Sequence, residues 1–161
     1  RAATTARLIP AARAVNDGMP AHMTELTAAS LAGHGRALDG SRVAVLGMSY
    51  LENTEDDRNS PSTALVADLA ARGADVAAHD PWVPAYRGRT VESVVDGADA
   101  VVVMVGHGAY RDLDWAALAR RVRTRVLVDG RRVVDAAAAR RAGWTVRTIG
   151  VGTRHDDGAA A

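Results

Sequence analysis

The groups best suited to chemistry lie in one stretch, "RVAVLGMSYLENTEDDRNSP" at 42–61. An apolar run reaches Gly47 and gives way to acids, amides, one arginine and Ser60-Pro61. Ser60 is a good N-cap and Pro61 suits the first helical position, so a helix is expected to begin there. Its free backbone N–H groups and dipole favour an anion. Arg58 stands just ahead of it, and Arg131 arrives from a later loop. Both can grip phosphate bidentately, so a diphosphate ligand fits these parts. Glu52, Glu55, Asp56 and Asp57 would repel that ligand if they faced it. Some must turn away, bond within the loop, or pair with Arg58, and an intraloop ion pair is the competing role for that arginine.

The remaining candidates are weaker. A dinucleotide fingerprint, G-x-G-x-x-G, brings backbone against pyrophosphate. Here Ser49 stands where the second glycine would be and Leu51-Glu52 where the third would begin. Independent dinucleotide binding at this loop is therefore disfavoured. His107 could act as a base or stack on a nucleobase, but a histidine at a strand end is more often a loop residue with a satisfied ring. His79, ahead of Asp80-Pro81, reads as structural. Asp56 and Asp57 are expected to keep ordinary pKa values in a solvated loop, which makes them a poor general acid/base pair. No His and acid positions have metal-ligand spacing. The absence of cysteine removes a disulfide framework, a thiolate zinc site and a cysteine nucleophile from these 161 residues.

The elements that must position these groups alternate. Residues 4–35 read as helix, with Val15, Met19, Met23 and Leu26 on one face and Pro20 marking a kink or a meeting of two helices. "GHGRALDGS" at 33–41 is a connector. Strands are expected at 42–47, 75–81, 100–106, 125–130 and 145–152. Helices are expected from Pro61 to a stop at Gly73, at 89–97 with Thr90 as cap, at 114–123 and at 132–143. The tail 154–161 has no apolar anchor and is expected to be disordered. Such alternation implies an α/β fold: a Rossmann-like parallel sheet with flanking helices, preceded by a long N-terminal helix. Ligands in these sheets sit beyond the carboxyl ends of the strands, at the switch point. Gly47, Ser49 and Tyr50, then His79 and Asp80, then Gly106 and His107, then Gly130 and Arg131 all fall there.

Composition narrows the classes. The 20 basic residues, all arginine, nearly cancel 19 acidic ones, for a formal charge of +1. The arginines are scattered, which argues against a nucleic-acid footprint. No apolar run approaches the ~20 residues needed to cross a membrane, and no leader precedes the helix, so a cytoplasmic protein is the default.

The 47–61 loop resembles that of the C-terminal, UDP-binding domain of the UDP-glucose/GDP-mannose dehydrogenase family, which reads roughly G-L-A-F-K-x-N-T-D-D-x-R-x-S-P. "HDP" at 79–81, "ADAVVVMVGH" at 98–107 and "VLVDGRRVVD" at 126–135 are similar to further family motifs, in order. "ARAVNDGMPAHMTEL" at 12–26 is similar to part of the family's central helix, which builds the dimer. The resemblance implies a nucleotide-sugar 6-dehydrogenase that makes a uronic acid for polysaccharide biosynthesis with two NAD per turnover. It implies that Tyr50, Leu51 and Arg131 contact the UDP-sugar and that Arg58 reaches NAD. Gly47, Ser49, Asn53, Thr54 and His107 are further loop contributors. Residues 1–36 would be the central dimerisation helix, with a homodimer through residues 4–35, and 37–153 the UDP-binding domain. The family's NAD domain and catalytic cysteine precede the matched region, so no catalytic residue is assigned here and NAD is not expected to bind this chain alone. One position departs: the family lysine is Leu51, which removes a charge from the ligand contact. A stand-alone dimerising or assembly module with a decayed nucleotide site is the alternative.

Overall fold

Five short apolar runs pair in parallel into one sheet in the computed structural model, which describes residues 8–150. The chain runs α1 (Leu8–Ala32), β1 (Arg42–Leu46), α2 (Pro61–Ala71), β2 (Asp75–His79), α3 (Val91–Val95), β3 (Ala100–Val103), α4 (Gly108–Arg111), α5 (Trp115–Leu118), β4 (Val126–Asp129), α6 (Ala136–Arg141) and β5 (Thr145–Thr148). The strand order is β2-β1-β3-β4-β5. The register is in phase across the sheet, so Val43 lies between Val76 and Ala100, and Ala100 lies beside Val126.

Period-two alternation splits the core into two layers. Ala44, Leu46, Val101, Val103 and Leu127 face a layer with Val94, Trp115, Leu118, Ala139 and Trp144. Val43, Val45, Val102, Val126 and Val128 face the other, with Leu65 and Leu69 of α2 and Met23 and Leu31 of α1. Right-handed crossovers explain this division. The first crossover, β1 to β2, runs one way and puts α2 on one face. The later crossovers run the opposite way and put α3 to α6 on the other. The β3–β5 half of the α2 face would then be bare. The long helix α1 fills it, touching α2, β3, β4 and β5. Met23 and Leu31 are fully buried there, each contributing about 1.5–3 kcal/mol.

Helix ends follow the expected signals. Ser60 caps α2 by accepting from Ser62 N at 3.2 Å, and Gly73 ends that segment at φ +86°. Thr90 caps α3 in the same way, accepting from Ser93 N at 3.2 Å.

Several expectations need correction. Pro20 does not mark a meeting of two helices: α1 is one element with Pro20 inside it. Hydroxyls of Thr24, Thr27 and Ser30 bond back to the carbonyls of Pro20, Met23 and Leu26, which satisfies them on the buried side. Only the later half of the apolar stripe docks: Met23 is buried but Val15 is 65 % exposed. The helix expected at 114–123 is a single turn, Trp115–Leu118, and the preceding turn α4 was not foreseen. The helix expected at 132–143 starts only at Ala136, because Asp135 caps it by accepting from Ala138 N. Residues 4–7 of the first expected helix, the end of the last expected strand beyond 150 and the tail 154–161 lie outside the described residues. Among the described residues no helix is long and apolar enough to cross a membrane.

Candidate functional site

The strand order reverses between β1 and β3, which puts the switch-point crevice at Gly47 and Met104. Gly47 turns the chain there at φ +97°. A Cβ at that position would stand 2.5 Å from Val105 Cβ and 2.7 Å from Val105 N, so only glycine fits.

The loop after Gly47 is held by an internal anion. Asp80, fully buried at the end of β2, accepts five hydrogen bonds. Met48 N (2.7 Å), Ser49 N (2.9 Å) and His107 Nε2 (2.9 Å) donate to Oδ2, while Trp82 N (2.8 Å) and Val83 N (3.0 Å) donate to Oδ1. Burial pushes its carboxyl up, but the His107 bond and the backbone N–H groups outweigh it and hold the group well below the usual carboxylate range.

His107 is the second anchor, and it too is fully buried. Its Nδ1 accepts from Asn53 N at 2.9 Å, so the proton must sit on Nε2, where it is given to Asp80. Ser49 Oγ lies 3.2 Å from the same Nε2 and donates to Leu51 O at 2.7 Å. Ser49 and Asp80 thus share one ring nitrogen, an arrangement unlike a nucleophile–base–acid relay. The Asn53 side chain accepts from Gly108 N at 3.1 Å, and Asn53 itself sits at φ +56°. Thr54 Oγ1 donates to Leu51 O, and Tyr50 N donates to Asp56 O. The Tyr110 ring meets His107 edge-on at 5.3 Å, and its hydroxyl donates to His79 O. His79 Nδ1 lies 2.9 Å from that hydroxyl. Burial pushes the Tyr110 pKa up and the His79 pKa down, keeping both neutral.

Outside this locked layer the loop shows two exposed large hydrophobic side chains, Tyr50 and Leu51. They line a cavity of about 300 Å³ together with Arg131, Met104, Gly130, Ile149 and Pro61, and with Asn16, Met19 and Met23 of α1. Arg131 is aimed from its base: its backbone N donates to Asp129 Oδ1 at 2.9 Å and its Nε to Met104 O at 2.8 Å. Apart from Asn16 and the Tyr50 hydroxyl the cavity wall is apolar, and Arg131 is the charged residue among those that line it. It suits a flat or apolar body carrying an anionic group.

The structure thus brings Tyr50, Leu51 and Arg131 together. Arg58 stands apart: it grips Asp56 through Nε–Oδ1 and Nη2–Oδ2, both 2.8 Å, with its side chain 83 % exposed. Asp56 does not keep an ordinary pKa, as sequence reasoning had it. The hydrogen bonds from Arg58 lower it to about 2. Gly47, Ser49, Asn53, Thr54 and His107 all serve the loop's internal bonding. Asp80 was noted only as a strand-end residue, yet it is the hub. The available signal was an acid directly before a proline at the end of a parallel strand, an arrangement suited to accepting turn N–H groups. Among the described residues no cluster of three His, Cys, Asp or Glu is placed to hold a metal ion.

A doubly wound parallel sheet with an open cavity beyond its switch point defines a Rossmann-like ligand-binding domain. The chain belongs to the UDP-glucose/GDP-mannose dehydrogenase family, whose UDP binding domain matches residues 44–136. The UDP-N-acetyl-D-mannosamine dehydrogenase of Pyrococcus horikoshii is 31 % identical over 145 residues, covering 90 % of this chain and 34 % of that protein. The UDP-glucose 6-dehydrogenase of Rhizobium meliloti is 31 % identical over 156 residues, covering 91 % and 35 %. The crystal structure of NDP-N-acetyl-D-galactosaminuronic acid dehydrogenase from Methanosarcina mazei Go1 matches with a TM-score of 0.84 and 36 % identity, covering 92 % of this chain and 33 % of that one. The chain therefore spans about a third of the length of the curated relatives it matches.

Proposed function

We propose that residues 37–153 bind the nucleotide half of a UDP-sugar, as the UDP-binding part of an NAD-dependent nucleotide-sugar 6-dehydrogenase. The observation that carries this is the convergence of Tyr50, Leu51 and Arg131 on one cavity at the switch point. In this role the Arg131 guanidinium takes the diphosphate, already oriented by Asp129 and the Met104 carbonyl. Tyr50 and the apolar wall supply contact area. Arg58 would leave Asp56 to meet NAD held elsewhere in the enzyme, and this exposed pair is weak enough to exchange. The catalytic nucleophile and NAD itself belong to other parts of the enzyme.

Titration calorimetry with UDP, and with NAD as control, tests this. UDP is expected to bind and NAD is not. Arg131→Ala should weaken UDP roughly 10- to 100-fold, the worth of a hydrogen bond to a charged group. Binding of NAD without UDP would overturn the proposal.

A second role, dimerisation through residues 4–35, is favoured by the free half of α1. Leu8 is 81 % exposed and Ile9 69 % exposed. Sedimentation should show a dimer, and a monomer at high concentration would remove the proposal. If neither UDP nor NAD binds while the chain dimerises, the assembly-module alternative gains. Leu51, in place of the family's lysine, is the residue that favours it.

A further inference from the structure

We propose that His107, as the neutral imidazole protonated at Nε2, is the positioning residue that presents Tyr50 and Leu51 to the cavity. The ligand half of this proposal rests on the UDP reading above; the loop half does not.

The loop from Gly47 to Ser60 has no strand or helix of its own. It is fastened at both ends, by Gly47 N to His79 O and by Ser60 Oγ to Ser49 O. Between these ends, Tyr50 and Leu51 are exposed, and among the described residues their side chains make no hydrogen bonds. Tyr50 N donates to Asp56 O across the loop, and the rest of their placement comes from Ser49 just before them and Asn53 two residues after Leu51. His107 holds both. Nε2 faces Ser49 Oγ and Asp80, and Nδ1 accepts from the Asn53 backbone. Ser49 Oγ and Thr54 Oγ1 then both donate to Leu51 O, which fixes the peptide between the two exposed side chains and the Asn53 turn.

One ring thus ties the β2 end, the β3 end and the middle of the loop together. It does so only in one tautomer. With the proton on Nδ1, Asn53 N–H would meet N–H, and Nε2 would turn a lone pair toward the Asp80 carboxylate. The ring is buried and braced edge-on by Tyr110, so it has no room to swing out and adjust.

Glutamine offers the same pair of groups at a similar spacing, an amide N–H₂ to donate to Asp80 and an oxygen to accept from Asn53 N. Leucine offers neither. The full chain is compared as wild type, His107→Gln and His107→Leu. Three measurements are made: amide hydrogen exchange, UDP titration, and the ring ¹⁵N shifts of wild type. The expected results are a pyrrole-like Nε2 and a pyridine-like Nδ1. In His107→Leu, the Tyr50 and Asn53 amides should exchange faster while β1, β3 and β4 amides stay protected, and UDP should bind at least about tenfold more weakly. His107→Gln should restore both the exchange rates and the affinity to within a few-fold.

The proposal is overturned if wild type carries its proton on Nδ1, a result that needs no variant to fold. It is also overturned if His107→Leu leaves loop exchange unchanged, or if a folded His107→Gln rescues nothing. Should wild type fail to bind UDP, the ligand reading falls, and exchange and tautomer alone decide the loop.

Discussion

Replacing Asp80 tests how much the loop depends on an internal anion. Asp80→Asn turns one of two acceptor oxygens into a donor. The less costly orientation keeps oxygen at the Oδ2 site, which serves three donors, and turns NH₂ toward Trp82 N and Val83 N. Two backbone N–H groups then lose their acceptor, at about 1–3 kcal/mol each. Val83 is buried and receives no help, whereas Trp82 is 47 % exposed and water recovers part of its loss. The sum is about 2–4 kcal/mol. Asp80→Ala strands all five donors, but the loop would lift away before paying five penalties, so its cost levels off near ~4–5 kcal/mol. With a urea m-value of about 2 kcal/mol/M, Asp80→Asn should lower the unfolding midpoint by about 1–2 M. The pH sign follows from the lowered carboxyl. A folded-state pKa below the unfolded one gives stability present in full above about pH 4 and lost as pH falls toward the folded value. The gap between wild type and Asp80→Asn should therefore narrow below about pH 4. A midpoint within about 0.3 M of wild type, against the 1–2 M expected, would refute the reasoning.

Gly47→Ala meets Val105 Cβ at 2.5 Å with φ at +97°, and should cost about 3 kcal/mol or more, seen as a drop of roughly 6–12 °C in thermal melting. The Asp56 carboxyl should titrate by NMR at about 2, and in Arg58→Ala rise toward 3.8 without reaching it, because the backbone N–H of residue 58 still donates to Asp56 Oδ1; the pair's contribution is present above the upper value and lost as pH falls through the lower. Leu51→Lys places a second cation beside Arg131 and should tighten UDP binding a few-fold at low salt, with the gain shrinking as salt rises.

Much of the fold was legible in the sequence because its signals are local. Alternating apolar runs, the Ser60-Pro61 start, the Thr90 cap and the Gly73 stop each act within a few residues, and each formed where expected. The short helices around 108–118 and 136–141 were less legible: α4 has no side-chain cap, α5 starts at the Asp114 cap but ends after one turn, and Asp135 caps α6 later than the apolar pattern begins. The stripe on α1 was legible as a face that needs burial, on its own domain or on a partner subunit, but how it divides was not. A helical stripe says that a face wants burial, and it does not say how much of it the domain covers; here Met23 is buried and Val15 is not. The site divides in the same way. Arg131, Tyr50 and Leu51 could be placed at one rim from topology alone. The Asp-Pro step marks Asp80 as an acceptor for the turn at Trp82 and Val83, but its bonds to Met48, Ser49 and His107, and those of His107 to Ser49 and Asn53, span 27 to 58 residues, and no spacing rule reaches them.

Asp80 also explains why a β1 loop with one glycine need not be a damaged dinucleotide site. In the dinucleotide fingerprint, backbone N–H groups just after the first strand face the turn and the helix N-terminus receives a pyrophosphate. Here the corresponding groups, Met48 N and Ser49 N, are already spent on the Asp80 carboxylate at 2.7 and 2.9 Å. An external pyrophosphate at that spot would have to displace a buried anion that holds three further donors. The chain between Gly47 and Ser60 is also far longer than a tight glycine turn, and it returns so that Ser60 Oγ donates to Ser49 O at 3.1 Å. Ser60 Oγ accepts from Ser62 N, so the cap itself consumes one of the N–H groups there. The carboxylate stands where a phosphate would, and under the proposed function anion recognition passes to the outer surface of the loop. There Arg131 reaches in from β4, across the switch point, in a cavity that α1 completes with Met19 and Met23. On this logic, Asp80→Ala would expose the freed N–H groups without creating dinucleotide binding, because Ser49 and the long loop still keep the backbone from closing on a pyrophosphate.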